Sequence, residues 1–140
     1  MDIEELRRKA NAGSCVAQTV LGISYLYGYD VAVDYNEAFR LLSAAGTSRA
    51  ALNLGIMHAK GLGVPLNLPE AIRLLEAVAQ PSDSSDAFSA RIELGRLYAS
   101  DSDTNKALRW YESAVALATE HEDSEDLREA RAYIARSKAW

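Results

Sequence analysis

The chain has 140 residues, 49% of them apolar and 25% charged, which is the range of one soluble globular domain. Its net charge of −5 argues against broad nucleic-acid binding, which relies on Lys and Arg displacing counterions from phosphates. No apolar run approaches the roughly 18–20 residues of a membrane span, Met1-Asp2-Ile3-Glu4-Glu5 lacks the order of a signal peptide, and the lone Cys15 cannot form an internal disulfide, so a reducing, cytoplasmic setting is expected.

Apolar periodicity predicts eight helices, over residues 2–12, 14–28, 34–45, 47–60, 68–79, 84–99, 103–118 and 123–138. Cys15, near the start of the second, reads as a buried or half-buried structural residue rather than an activated thiol. Asp34 with Glu37, and Asn67 with Glu70, have capping-box spacing before the third and fifth helices, and Pro69 sits in the tolerated first turn. Gly61-Leu62-Gly63-Val64-Pro65 needs positive φ angles. Its counterpart Gly28-Tyr29-Asp30-Val31 puts Asp30 where the second Gly stands, so Asp30 is expected to be strained. Pro81-Ser82-Asp83-Ser84-Ser85-Asp86 and Ser100-Asp101-Ser102-Asp103 are turn chemistry rather than modification sites. The acid at Glu120, Glu122, Asp123, Glu125, Asp126 and Glu129 reads as the solvated start of the last helix, favoured by the helix dipole.

Internal repetition fixes the architecture. Ala17-Gln18-Thr19-Val20-Leu21-Gly22-Ile23 aligns without gaps on Ala50-Ala51-Leu52-Asn53-Leu54-Gly55-Ile56, 33 residues later. Glu37-Ala38-Phe39-Arg40-Leu41-Leu42 aligns on Glu70-Ala71-Ile72-Arg73-Leu74-Leu75 at the same offset. A third copy has Leu94-Gly95-Arg96-Leu97-Tyr98 and Lys106-Ala107-Leu108-Arg109-Trp110-Tyr111, but its Gly-to-Ala spacing is 12 residues instead of 16, so its loop has lost four. Small residues at Gly22, Gly55 and Gly95, and at Ala38, Ala71 and Ala107, let paired helices approach closely, while the leucines between them supply an apolar stripe that one pair cannot cover. Stacked pairs do cover it. The expectation is therefore one all-α domain over 1–140, with repeats at 14–46, 47–80 and 84–118 and capping half-repeats at 2–12 and 123–138.

Copies one and two resemble the Sel-one-like repeat of the tetratricopeptide-type superfamily, with its Ala-x-x-x-Leu-Gly-x-x-Tyr, Gly-x-Gly-Val and Ala-x-x-x-Leu-x-x-Ala pattern; copy three resembles an ordinary tetratricopeptide repeat. The resemblance implies a right-handed α-α superhelix, or solenoid, whose first helices line a concave face used for adaptor and scaffold contacts, often in bacteria. Carried over by offset from each helix Gly, that face comprises Thr19, Ile23 and Leu26; then Arg49, Leu52, Asn53, Ile56 and Lys60; then Ser89, Ile92 and Arg96. It would be apolar on one side and basic at Arg49, Lys60 and Arg96, which suits an extended peptide or a partner surface with carboxylates. Secreted relatives staple each helix pair with cysteines, which this chain does not have.

Catalytic chemistry finds no support in the residues. His58 and His121 lack ligand spacing, and His58 replaces a repeat Tyr, which makes it a packed aromatic rather than an acid, base or ligand. There is no Ser-x-x-Lys, and no Gly-rich phosphate loop follows a strand. The chain is expected not to be an enzyme and to need no cofactor or metal. Tyr25, Tyr98 and Tyr111 read as packing residues; Tyr27, Tyr29 and Tyr35 cluster at the first loop, either as packing or as an aromatic edge for a partner.

The leading reading is a bacterial, cytoplasmic adaptor that binds a protein or peptide partner, with neither nucleic acid nor membrane involved; an immunity protein that neutralises a toxin is its sharper form. A small hydrolase or carbohydrate-binding protein would instead need a deep pocket with converging, perturbed polar groups. A self-associating structural element would need apolar exposure on the last helix, around Leu127, Tyr133, Ile134 and Trp140.

Overall fold

The computed structural model describes residues 2–80, 84–118 and 123–139, and among these every regular element is a helix. In chain order they are α1 (Ile3–Asn11), α2 (Cys15–Tyr27), α3 (Tyr35–Ala45), α4 (Ser48–Lys60), α5 (Leu68–Val78), α6 (Ser85–Ser100), α7 (Thr104–Leu117) and α8 (Glu125–Lys138). The expected bounds differ mainly by including the cap residue, which lies outside the helix because its backbone is extended. Pro81-Ser82-Asp83, Glu120, His121, Glu122 and Trp140 lie outside the described residues. No described helix is long and apolar enough to cross a membrane.

Each helix starts on a polar side chain that accepts from the backbone N–H three residues on. The caps are Asp2, Ser14, Asp34, Thr47, Asn67, Ser84, Asp103 and Ser124, with distances from 2.8 Å at Asp2 to 3.2 Å at Ser124. Caps of this kind each contribute about 1 kcal/mol. The two expected capping boxes form only half of their pattern. Asp34 N–H donates to Tyr25 O at 2.9 Å, and Asn67 N–H to His58 O at 3.0 Å, so these amides are already satisfied across the loop. Glu37 and Glu70 are thereby released and accept from Arg40 and Arg73 instead. Each arginine holds its glutamate below the usual carboxylate range.

The same closure recurs in copy three, where Asp103 N–H donates to Tyr98 O at 2.9 Å. Loss of four loop residues leaves this bond in place and removes only the excursion between its ends. The shortened turn puts Ser102 at φ 59°, and Asp30, as expected, lies at φ 62°. Glycine is needed at the position matching Asp30 in the next loop, because a Cβ on Gly63 would stand 2.4 Å from the Cβ of Tyr35. Asp30 itself is exposed.

Chain contacts divide the structure into two units, Met1–Leu74 and Leu75–Trp140. In the first, α2 packs on α3 where Gly22 faces Leu42, and a Cβ there would lie 2.8 Å from Leu42 Cγ. Leu6 and Ala10 of α1 join Ala17, Leu21 and Leu41 in one cluster, while Leu26, Ala38, Leu42, Ala50 and Met57 form another across α2, α3 and α4. Besides this burial, α1 is tied to α2 by Arg7, which donates to Tyr25 Oη at 3.0 Å.

In the second unit, α6 and α7 meet where Gly95 lies under the ring of Tyr111, in a cluster with Ile92, Ala107, Ala114 and Ala130. The helix α8 buries Leu127 and Ala130 and brings two half-exposed carboxylates onto Arg96 of α6. Arg96 donates to Glu129 at 2.9 Å, to Asp126 at 2.7 Å and to Glu93 at 2.8 Å, and Tyr111 Oη donates to Glu129 at 3.1 Å. The acid at the start of α8 is thus partly a clasp on α6 rather than a wholly solvated end. Burial alone would lower the Arg96 pKa, but its bonds to Glu129 and Asp126 and the charge of Glu93 outweigh this and raise it. Burial and the charge of Glu129 raise the Tyr111 hydroxyl, and the bond from Arg96 lowers Glu129.

Two outcomes are expected from these contacts. Gly95→Ala would place a Cβ 2.8 Å from Tyr111 Cδ1, on a ring that is buried and tethered through its hydroxyl. Overpacking costs roughly 1–3 kcal/mol against a helix-propensity gain of about 1 kcal/mol, so the urea midpoint should fall; a midpoint equal to or above wild type would contradict the close approach. Glu129→Gln should cost about 1 kcal/mol at pH 7, since the cluster is partly solvated. Because folding lowers the Glu129 pKa, this difference is present above the ordinary value of 4.5 and shrinks as pH falls through the lower folded value. Melts of both proteins from pH 7 to pH 3 measure it, and a pH-independent difference would refute the assignment.

Candidate functional site

The first-helix face of the first unit is set by the 33-residue offset of α2 and α4. On α2, Val16, Val20, Ile23 and Tyr27 recur at i, i+4, i+7 and i+11, and the same offset returns Arg49, Asn53, Ile56 and Lys60 on α4. Two polar contacts join the rows. Thr19 Oγ1 and Thr47 Oγ1 lie 2.8 Å apart, and Tyr27 Oη donates to Asn53 Oδ1 at 3.2 Å.

The sequence-derived positions divide by exposure. Arg49 and Lys60 are exposed, and Ile23, Ser89 and Arg96 are half-buried. Thr19, Leu26, Leu52, Asn53, Ile56 and Ile92 are buried, which departs from the expected concave surface. Thr19 and Leu26 belong to the stripe that α2 turns inward, Leu26 lying in the α2–α3–α4 core and Ile92 in that of α6 and α7. Asn53 is also spent internally: Nδ2 donates to Arg49 O at 2.9 Å while Oδ1 accepts from Tyr27. Arg96 is enclosed by three carboxylates of its own unit.

In place of the buried residues, Val16 is 72% and Val20 43% exposed. Both were legible, because subtracting the repeat length from Arg49 and Asn53 returns them. A depression of about 360 Å³ separates them from Leu6 and Lys9 on α1, and another of about 250 Å³ lies on their other side, toward Thr47 and Arg49. The valines therefore form an apolar ridge between two hollows, with Lys9 on one rim and Arg49 on the other. Further along α2, Tyr27 and Tyr29 place their ring centroids 5.7 Å apart, and both are about half exposed, as an aromatic edge requires. Among the described residues, every exposed large apolar side chain falls between Val16 and Leu68.

Other candidates occupy structural places. His58 packs edge-on against Phe39 at 6.0 Å, as a substitute for the repeat Tyr would. Cys15 is exposed, contrary to expectation, because it is the first residue of α2 and the buried stripe begins at Ala17. On α8, Leu127 is buried and Tyr133 and Ile134 pack against the core, so these side chains do not make the open apolar face that end-to-end stacking would use; Trp140 lies outside the described residues.

A family model for the Sel1 repeat matches residues 15–47, 48–80 and 89–118. Its third match falls on the copy that resembles an ordinary tetratricopeptide repeat, so that copy is a Sel1 repeat with a shortened loop. A solved Sel1 repeat protein from Oxalobacter formigenes is similar with a TM-score of 0.66 and 25% identity, over 89% of this chain and 47% of that one. A protective antigen present in uropathogenic Escherichia coli strains, displaying an SLR fold, is similar with a TM-score of 0.69 and 29% identity, over 84% of this chain and 26% of that one. This chain thus spans less than half the length of either solved relative. No curated protein matches it in sequence. Sel1 repeat proteins are in general protein-interaction modules. Matched by three repeats that cover more than half of its length, the chain belongs to the Sel1 repeat family.

Proposed function

We propose that this chain is a non-catalytic module that holds a protein or peptide partner on the first-helix face of its first unit. The observation that carries the reading is the Val16–Val20 ridge with a hollow on either side, which leaves apolar surface open to solvent on the first unit. Lys60, exposed further along α4, favours a partner that brings a carboxylate beside its apolar residues, while Lys9 on one rim is paired with Glu5 at 3.3 Å. Ile23 continues the ridge toward the Tyr27–Tyr29 edge. The buried members of the expected face on α2 and α4 hold the unit that presents these residues, whereas Ile92 and Arg96 hold the second unit.

The proposal extends to a bacterial adaptor working in the cytoplasm, with a toxin-neutralising immunity protein as its sharper form. Its support is the bacterial origin of both solved relatives and the absence of cysteine pairs from the sequence.

Affinity capture from the producing cell, followed by titration of the captured partner, tests the surface. Val16→Asp/Val20→Asp should weaken binding at least tenfold while leaving stability within about 0.5 kcal/mol, because both side chains are exposed. Unchanged affinity in that variant would refute the site. Substituting Ile56 or Arg96 would test the fold instead, since one is buried and the other clasps α8.

A further inference from the structure

The second unit carries a separate surface, on the flank where the end of α5 faces α6 and α7. Two hollows of about 310 and 340 Å³ share Glu76, Trp110 and Ser113, so they form one groove with the Trp110 indole at its middle. Lys106, Arg109, Trp110 and Ser113 reach it from a single face of α7, at i, i+3, i+4 and i+7. At one end Lys106 Nζ stands 5.2 Å from the centroid of the Tyr98 ring, beside the exposed Arg109. At the other end Arg91 is fixed by donating to Ala79 O at 3.2 Å and Ser113 O at 3.0 Å.

The charges in this groove run against those of the unit. Residues 75–140 contain eight Lys and Arg against thirteen Asp and Glu, whereas residues 1–74 contain seven of each. Arg96, Arg128 and Lys138 are neutralised by carboxylates. Lys106 and Arg109 have no carboxylate partner among the described residues. Two adjacent cations left without counter-ions among the described residues of an acid-rich unit, next to a half-buried indole that lines the groove, form a site for an anion with an apolar neighbour.

We propose that this groove binds an extended peptide segment in which a carboxylate side chain stands next to a bulky apolar one. The carboxylate lies on Lys106 and Arg109, and the apolar side chain lies against Trp110 and Tyr98. Glu76 repels a second carboxylate from the shared middle of the groove and so fixes the direction of the segment. The site is built within the second unit and does not depend on the Val16–Val20 surface, so either can fail without the other.

Trp110 is the natural reporter, because Trp110 and Trp140 are the two tryptophans of the chain and Trp140→Phe leaves Trp110 alone. A random heptapeptide phage library would be selected on that variant and counter-selected on Lys106→Gln/Arg109→Gln in the same background. The enriched peptides should carry Asp or Glu beside Leu, Ile, Val or Phe and shift Trp110 emission saturably. They should lose at least tenfold in affinity on the double variant, and should weaken as salt rises. No enrichment over the counter-selection, enrichment without carboxylates, or equal affinity for both proteins would overturn the proposal. Thermal melts establish that the double variant is folded; if its midpoint falls, Arg109→Gln alone, at an exposed position, provides the comparison.

Discussion

Much of this molecule follows from the absence of a side chain at a few helix positions. At Gly22 and Gly95 the partner helix lies so near that a Cβ would fall 2.8 Å from Leu42 Cγ or Tyr111 Cδ1. The space is filled in each case by a buried side chain of the partner, so removing the glycine hydrogen in favour of a methyl would force apart surfaces packed at interior density. The alanines opposite, Ala38 and Ala107, are fully buried for the same reason. Close pairing then makes the two helices of a repeat one rigid unit with an apolar stripe that needs further cover.

Given that pairing, the connection between helices is constrained at its two ends and free between them. The N-cap amide of each second helix donates to a carbonyl in the last turn of the first helix, from Asp34 to Tyr25, from Asn67 to His58 and from Asp103 to Tyr98. Because this bond fixes the entry and the cap fixes the start, the intervening chain is long in two copies and short in the third while both ends keep the same bond. The cost appears as a left-handed backbone at Ser102, where glycine no longer supplies it. It also explains why Glu37 and Glu70 bind arginines rather than complete their boxes.

The surface left after packing differs between the two units. The first is electrically balanced and exposes valines and tyrosines; the second holds the excess acid and invests part of it in clasping its own end through Arg96. Arginine suits this role because its planar fork meets Asp126 and Glu129 at once, and partial burial makes the contacts stronger than those of a solvated pair. A residue that the repeat pattern places among partner contacts is therefore consumed by the terminal helix, which brings carboxylates where an outside ligand would bring them.

The sequence by itself determined the eight helices of the described residues, the three copies and the shortened third loop, because periodicity, caps and offset are local properties written into neighbouring residues. It also determined that Asp30 would sit at positive φ, since its place in the loop was matched by a glycine. Only the tertiary structure decided which stripe of each first helix faces solvent. Thr19 and Val20 are adjacent in sequence, yet one is buried against the cap of α4 and the other stands on an open ridge, and a rotation of about 100° per residue separates the two fates. Likewise, Arg96 reads as a partner contact in the sequence, but its environment depends on a later helix that returns with Asp126 and Glu129. That is a matter of what packs alongside, and no single stretch of chain encodes it.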